Sequence, residues 1–147
     1  MARRPPRRAV RAVTALALFV YRATRGRIGG RFGRARVLLL TTTGRRTGTR
    51  RTIPLGYLED GGDLVVIASF GGSDVHPAWY LNLAAHPDVE VERRGGPSQP
   101  MRARTATPEE RARLWPRVVE MYAGYEKYQQ KAAREIPLVI LQPRPAA

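Results

Sequence analysis

The sequence predicts a mainly β protein with helices (α+β), a small barrel of about six mostly antiparallel strands. Two observations predict this class. Stretches of strand length alternate with glycine-rich turns, and helix signals occur in the middle of the chain and before the last strand. The 147 residues correspond to about one ordinary domain. We therefore expect one functional site.

The N-terminal segment is basic at both ends and apolar in the middle. Its apolar run, Ala12 to Tyr21, is well short of the roughly 20 residues that span a bilayer. Arg22, Arg25 and Arg27 occupy the place where a signal-peptide cleavage site would follow. Two interpretations remain open: an amphipathic helix on an anionic membrane face, and a first helix that packs on the core behind a disordered tail.

Three strand patterns follow a glycine-rich linker. Val37 to Thr43 is β-branched and leucine-rich, which predicts a buried strand. Arg51 to Leu58 and Leu64 to Phe70 are two more strand-like stretches, separated by "EDGGD". Because Asp-Gly-Gly is a strong hairpin signal, we expect these two stretches to pair.

A short helix and a second hairpin come next. "PAWYLNLAAHP" predicts a helix that starts at Pro77 and ends before Pro87. "DVEVERR" alternates with period two, as a half-solvated strand does, and "QPMRARTA" can pair with it across "GGPS".

The strongest helix signal lies at Thr107. A threonine cap, Pro108 at the first helical position and Glu110 three residues after the cap form a capping box. We expect one helix through "RARLWPRVVEMYAGYEKYQQKAARE", kinked at Pro116 and loosened at Gly124. "IPLVILQP" predicts the final strand.

Composition excludes several kinds of chemistry. The chain has no cysteine, so disulfides, iron–sulfur clusters and cysteine nucleophiles are excluded. His76 and His86 both precede a proline at a predicted helix boundary, and we expect no metal site. Without an obvious Ser-His-Asp set either, bond-breaking chemistry would fall to an organic cofactor.

The positive charge is concentrated in the first part of the chain. Residues 1–58 hold 15 arginines and no acidic residue. Four of these arginines and two glycines fall in "GRRTGTRR", residues 44–51, between two predicted strands. Guanidinium groups bind phosphate or carboxylate in bidentate fashion, so this turn predicts an anion site. It does not have Walker A spacing, and a solvated hairpin tip is the alternative.

Several aromatic residues could line a flat ring system: Trp79, Tyr80, Tyr122, Tyr125 and Tyr128. The last three stand at i, i+3 and i+6, so on a helix they would lie along one side. The same spacing is also typical of an ordinary core face. Buried phenols each need a partner, however, and that favours a pocket.

Four stretches together resemble the deazaflavin-dependent nitroreductase family, whose members use reduced coenzyme F-420. They are "LLLTTTGRRTG", "ASFGG", "HPAWYLNLAAHPDVEV" and "MYAGYEKYQ", within a resemblance that runs from about Val37 to Pro143. The resemblance implies a split β-barrel related to oxidoreductases that bind flavin mononucleotide. Together with the charge distribution, it divides the chain into a basic amphipathic N-terminal arm, residues 1–35, and a coenzyme-binding split β-barrel, residues 36–147.

The resemblance also implies which residues form the site. The coenzyme carries a phosphodiester and an oligoglutamate tail, and the family's glycine-basic turn holds that end. The implied coenzyme contacts are Arg45, Arg46, Thr47, Arg51, Thr52, Ile53, Pro54, Leu55, Gly56, Ile67, Ala68, Ser69, Phe70, Ala78, Trp79, Tyr80, Leu81, Asn82 and Tyr125. The implied catalytic residues are Tyr122, Tyr125, Tyr128 and Ser69, with Tyr125 orienting or protonating the acceptor. The family has a lysine where Phe70 stands and an aromatic residue where Gly56 stands.

The resulting hypothesis is hydride transfer from the reduced coenzyme to a quinone, an enone or a nitro compound. The expected location is the cytoplasm, or the inner face of the cell membrane if the arm reaches a lipid quinone there. One alternative is a non-catalytic protein that binds nucleic acid or a membrane surface through its basic first 58 residues. Another is a barrel that binds flavin mononucleotide or haem.

Overall fold

The computed structural model describes residues 7–27, 29–32 and 35–145. In these ranges the helices are α1 (Arg7–Ala23), α2 (Ala78–Ala85), α3 (Pro108–Met121) and α4 (Gly124–Lys131), with a 3-10 turn at Phe70–Gly72. The strands are β1 (Arg31–Phe32), β2 (Ala35–Thr43), β3 (Arg50–Asp60), β4 (Asp63–Ile67), β5 (Asp88–Glu92), β6 (Gln99–Thr105) and β7 (Leu138–Pro143). Residues 1–6, part of the predicted arm, lie outside them.

The strands form a closed barrel. Their order is β1-β2-β3-β4-β7-β6-β5, and β5 pairs back onto β2 through Leu40 and Val91. All of these pairings are antiparallel. The two-residue β1 lies beside the start of β2 and outside the six-stranded barrel. The predicted class, a barrel of about six antiparallel strands with helices, is therefore confirmed.

Both faces of the central strands are buried. Leu38, Leu40 and Val66 point into the barrel, whereas Val65 and Ile67 of β4 pack outside it against the layer of α3 and α4. Because neither face meets water, these strands are apolar at nearly every position, as the sequence pattern indicated.

The barrel is split between β3 and β4. These strands pair from Tyr57 opposite Val66 to Asp60 opposite Asp63. Beyond Tyr57, residues 50–56 of β3 pair with β2, and no strand in the described ranges pairs with their other edge. The chain after β4 therefore diverges from β3 and leaves a cleft lined by unpaired backbone groups.

The strand predicted to reach Phe70 ends at Ile67. Ala68 still donates its backbone N–H to Pro137 O at 3.0 Å, but Phe70 has φ 47°, in the left-handed region. Extended pairing is impossible in that conformation. Gly71 and Gly72, with φ 64° and 78°, continue the departure from the sheet.

The single long helix that the sequence predicted is two helices. The capping box at Thr107 and Glu110 forms as expected, and α3 runs through Pro116. The chain breaks instead at Tyr122, whose φ of −153° and ψ of 105° are extended. The Tyr122 ring then lies against Gly124, where an added Cβ would be 2.7 Å from Tyr122 Cζ. Tyr122 is therefore not on the helix that carries Tyr125 and Tyr128.

One residue of α1 fixes the helix to the barrel. Tyr21 is buried; its hydroxyl donates to Val37 O at 2.9 Å and accepts from the Arg94 N–H at 2.8 Å. On another side of α1, the side chains of Val13, Leu16 and Phe19 are 64 to 70% exposed. No helix in the described ranges has the length and apolarity to cross a bilayer.

A candidate coenzyme cleft

The arginine-rich turn between β2 and β3 is held by its own backbone. Gly44 N–H donates to Thr49 O at 2.8 Å, and Gly48 N–H donates to Gly44 O at 2.9 Å. Thr47 Oγ1 accepts from the Thr49 N–H, and a Cβ on Gly44 would stand 2.8 Å from this Oγ1. A side chain at position 44 would displace Thr47 Oγ1, and residues 45–50 are exposed.

The four arginines of the turn differ in their partners. Arg45 donates from its backbone N–H and from Nη1 to Asn82 Oδ1, both at 3.2 Å. Arg50 donates to Thr43 Oγ1 at 3.1 Å and pairs with Glu90 at 3.0 Å. Arg46 and Arg51 are exposed and have no partner in the described part of the chain. Only Arg50 has an acidic partner in the described ranges, so three of the four positive charges are left for an anion to balance.

The cleft between β3 and the chain after β4 brings two predicted stretches together. Residues 52–56 form the open edge of β3. Residues 67–70 leave β4 directly beyond the last pair that joins the two strands. The predicted contact residues Thr52, Ile53, Pro54, Leu55 and Gly56 on one side, and Ile67, Ala68, Ser69 and Phe70 on the other, therefore flank the same opening.

Three successive backbone amides directly after β4 lack a hydrogen-bond partner in the described ranges. Ser69 is right-handed (φ −79°, ψ −38°) and Phe70 is left-handed, a combination that turns neighbouring N–H groups toward one point. The N–H groups of Ser69, Phe70 and Gly71 have no hydrogen-bond partner among the residues that the structure describes. Such a group of amides can donate hydrogen bonds to an oxygen atom of a ligand.

Arg134 holds this loop from outside the barrel. Its Nη2 donates to Ala68 O and Ser69 O, and its Nε donates to Ser73 O, all at 3.0 Å. Reasoning from the sequence missed Arg134, because nothing in "KAAREIP" distinguishes it from a surface arginine. Burial lowers its pKa and that of His76, and the charge of Arg134 also contributes to the shift at His76.

The three tyrosines form one cluster despite the break before α4. The ring of Tyr122 lies 5.3 Å from that of Tyr125 and 6.3 Å from that of Tyr128, measured between centroids. Tyr125 is buried with Ile67. A Cβ on Gly72 would stand 3.0 Å from Tyr128 Cα, so the loop after β4 lies directly against α4.

The buried phenol of Tyr125 is a weak acid. Burial, with smaller contributions from Tyr128 and Tyr122, raises the pKa of Tyr125 to about 12. A hydrogen bond with Tyr122 raises the pKa of Tyr128 as well. These shifts favour hydrogen-bond donation by Tyr125 over proton transfer from it.

Helix α2 closes the end of the barrel. Trp79 and Tyr80 pack on the interior core, Tyr80 shares a 2.9 Å hydrogen bond with Thr105, and its ring lies 4.8 Å from that of His76. Ala78 is exposed and Leu81 is half-buried, while buried Asn82 connects the helix to the arginine turn. The described ranges contain no cluster of three His, Asp or Glu residues suited to a metal ion.

Comparisons with known proteins identify the family of the chain. A family model described as "F420H(2)-dependent quinone reductase" matches residues 13–143. An F420H(2)-dependent quinone reductase of Mycobacterium tuberculosis is 42% identical over 131 residues, covering 85% of this chain and 86% of that protein.

Two solved structures are also similar. An F420-H2 dependent reductase has a TM-score of 0.66 and 39% identity, covering 72% of this chain and 93% of its own. A chain described as a domain-swapped dimer has a TM-score of 0.69 and 33% identity, covering 91% of this chain and 99% of its own.

Proposed function

The chain belongs to the F420H(2)-dependent quinone reductase family, and we propose that it reduces quinones with the reduced deazaflavin coenzyme F-420, bound in the cleft between β3 and the chain after β4. The observation that carries this proposal is that the amides of Ser69, Phe70 and Gly71 have no partner in the described ranges, directly after the point where β3 and β4 stop pairing. The ring oxygens of a planar heterocycle are suitable acceptors for such amides.

The arginine turn suits the acidic end of the coenzyme. Arg46 and Arg51 supply two guanidinium groups with no partner in the described ranges, and Arg45 is oriented by Asn82. Charge-assisted hydrogen bonds from such groups to phosphate or carboxylate are about twice as strong as neutral ones. Thr47 stands on the same turn, and its Oγ1 already accepts from Thr49.

When bound, the reduced coenzyme supplies a hydride to an electron-poor acceptor. The chain aligns the two reactants and excludes water. Such alignment lowers the activation free energy by several kcal/mol. Tyr125 donates a hydrogen bond that orients the acceptor oxygen, and Tyr122, Tyr128 and Ser69 complete the wall of that pocket. Because its pKa is raised to about 12, Tyr125 keeps its own proton, and water protonates the product.

Quinones are the acceptors that this proposal favours over enones and nitro compounds. A quinone is flat, and the rings of Tyr122, Tyr125 and Tyr128 offer flat apolar walls with hydroxyl groups at their edges. Its carbonyl oxygens accept hydrogen bonds from phenols.

The test is to mix the protein with reduced coenzyme F-420 and menadione and to follow the absorbance of the oxidised deazaflavin. We expect turnover with menadione that exceeds the rate without protein. The same assay with an enone and a nitroaromatic compound ranks the acceptors. Tight binding of the coenzyme without turnover of any quinone would refute the proposed quinone reductase activity. The absence of any coenzyme binding would refute the proposed coenzyme site in the cleft.

We also propose that the exposed face of α1 contacts a membrane. Val13, Leu16 and Phe19 are exposed, and Arg8, Arg11 and Arg22 lie on the same helix. Apolar side chains beside arginines suit the surface of an anionic bilayer. In this proposal α1 contacts the membrane, the barrel that begins at β2 holds the coenzyme, and a lipid quinone enters from the bilayer.

A further inference from the structure

We infer that Arg134 is a positioning residue that strengthens the amides of Ser69 and Phe70 as donors to the bound coenzyme. This inference rests on the proposed function for the identity of the ligand. Arg134 lies between α4 and β7, outside the residues that the family resemblance assigns to the site. It acts through the backbone of the loop after β4.

Arg134 binds the carbonyl groups of two successive peptide groups. The carbonyl of Ala68 and the N–H of Ser69 belong to one peptide group, and the carbonyl of Ser69 and the N–H of Phe70 belong to the next. Arg134 Nη2 donates to both carbonyls at 3.0 Å. The two amides that share those peptide groups have no partner among the described residues.

A cation bound to a carbonyl polarises the peptide group that contains it. Hydrogen bonds in a chain strengthen one another, and a charged donor has the largest effect. The guanidinium group of Arg134 therefore makes the Ser69 and Phe70 N–H groups better donors. The guanidinium group acts on the cleft by polarising these two peptide groups, although the Arg134 side chain lies on the other side of the loop.

The loop that Arg134 contacts includes a residue in a strained backbone conformation. Phe70 has φ 47° and a side chain 57% exposed, so neither glycine nor burial compensates for its left-handed backbone. Residues in such strained backbone conformations concentrate at functional sites. Arg134 Nε also donates to Ser73 O, so the guanidinium holds the loop at both its beginning and its end.

Stability alone does not account for Arg134. Its Nη1 is buried without a partner in the described ranges, and so is Nδ1 of His76. An unpaired buried donor costs free energy, which offsets part of the stabilisation from the three hydrogen bonds of Arg134 to the loop. Local violations of this kind are expected where a residue serves binding or catalysis.

The first experiment uses the coenzyme-free, 15N-labelled full chain as wild type, Arg134→Met, Arg134→Lys and Arg144→Met. Arg144 is the matched control because its Nε also donates to a backbone carbonyl, that of Met101 at 3.1 Å, beyond the far end of β7. We expect Arg134→Met to move the 15N resonances of Ser69 and Phe70 upfield. Arg134→Lys should recover part of the shift, and Arg144→Met should cause none.

Gly72 and Ser73 show whether the loop stays folded. Their N–H groups bond within the loop to Ser69 O at 3.1 Å and Phe70 O at 3.2 Å. We expect them to keep their protection from hydrogen exchange in Arg134→Met. Unmoved resonances at Ser69 and Phe70 would overturn the inference, and so would a shift that appears together with lost protection at Gly72 and Ser73.

The second experiment titrates oxidised coenzyme F-420 into the same four proteins. We expect Arg134→Met to bind about tenfold more weakly, Arg134→Lys to be intermediate and Arg144→Met to match wild type. If wild type does not bind the coenzyme, the proposed function fails and the 15N shifts still decide the role of Arg134. If wild type and Arg134→Met bind equally well, the inference fails and the proposed function stands.

Discussion

Asn82 Oδ1 accepts two hydrogen bonds from Arg45, one from its backbone N–H and one from Nη1, both at 3.2 Å. These two residues are 37 positions apart, and their contact joins the arginine turn to the helix that closes the barrel. The buried amide thus fixes where the charged turn lies relative to the cleft.

Replacing Asn82 tests this connection. We expect Asn82→Ala to lower the free energy of unfolding by about 1–2 kcal/mol, because a buried acceptor for two donors is lost. Asn82→Asp is the matched control, since it keeps the acceptor and adds a charge opposite the guanidinium of Arg45. Urea denaturation measures both variants. Equal stability of Asn82→Ala and wild type would show that the contact contributes nothing.

The arginines of the turn should separate by function. Arg46→Ala and Arg51→Ala are each expected to weaken coenzyme binding about tenfold, because each removes a charge without a partner in the described ranges. Arg50→Ala is expected to change the dissociation constant about twofold or less, since Arg50 is already paired with Glu90. Fluorescence titration at two salt concentrations measures this. An equal loss for all three variants would contradict the assignment and favour a diffuse charge effect.

Tyr125 should show no ionisation in the working pH range. Burial raises its pKa to about 12, so folding favours the protonated phenol. The resulting stabilisation is fully present below the ordinary value of 10 and is lost as pH rises through 12. We expect Tyr125→Phe to lower kcat/KM for menadione roughly tenfold through the lost hydrogen bond.

The pH profile of that variant supplies the control. Tyr125→Phe should have the same alkaline limb as wild type below pH 10, because the phenol does not titrate there. A limb present in wild type below that pH and absent from Tyr125→Phe would show that Tyr125 acts as the proton donor.

Alanine substitutions at two neighbouring glycines distinguish the cost of backbone strain from the cost of steric contact. Gly71 and Gly72 both have positive φ, but an added Cβ meets nothing within 4 Å at Gly71 and lies 3.0 Å from Tyr128 Cα and O at Gly72. We expect Gly71→Ala to cost about 1 kcal/mol of stability and Gly72→Ala about 2–4 kcal/mol. Denaturant unfolding of both proteins measures the difference. Equal costs would mean that the loop does not press against α4.

The apolar face of α1 should bind anionic vesicles. We expect Leu16→Ser and Phe19→Ser to reduce co-sedimentation with phosphatidylglycerol vesicles several-fold, because each removes apolar surface from the face. Val75→Ser is the control, since Val75 is an exposed apolar residue outside α1. The alternative outcome is that wild type does not bind vesicles and forms a dimer that Phe19→Ser dissociates. That result would show that a second copy of the chain covers this face.

The sequence determined the features whose signals are local. The Asp-Gly-Gly turn, the capping box at Thr107 and the arginine turn are each specified within a few residues, and each lies where the pattern predicts it. Buried strands are also recognisable locally, because a run that is apolar on both faces has few alternatives. The family motifs "LLLTTTGRRTG" and "MYAGYEKYQ" are also short contiguous stretches, and they indicated the coenzyme.

Only the tertiary structure decided how the cleft is held. Arg134 binds carbonyls that are 61 to 66 positions away, and no local pattern reports a partner at that distance. The break at Tyr122 likewise depends on a ring that packs against Gly124, which helix propensity does not include. Short-range signals specify turns and caps because their partners are neighbours in the chain. Buried polar contacts between distant segments exist only after the barrel has brought those segments together.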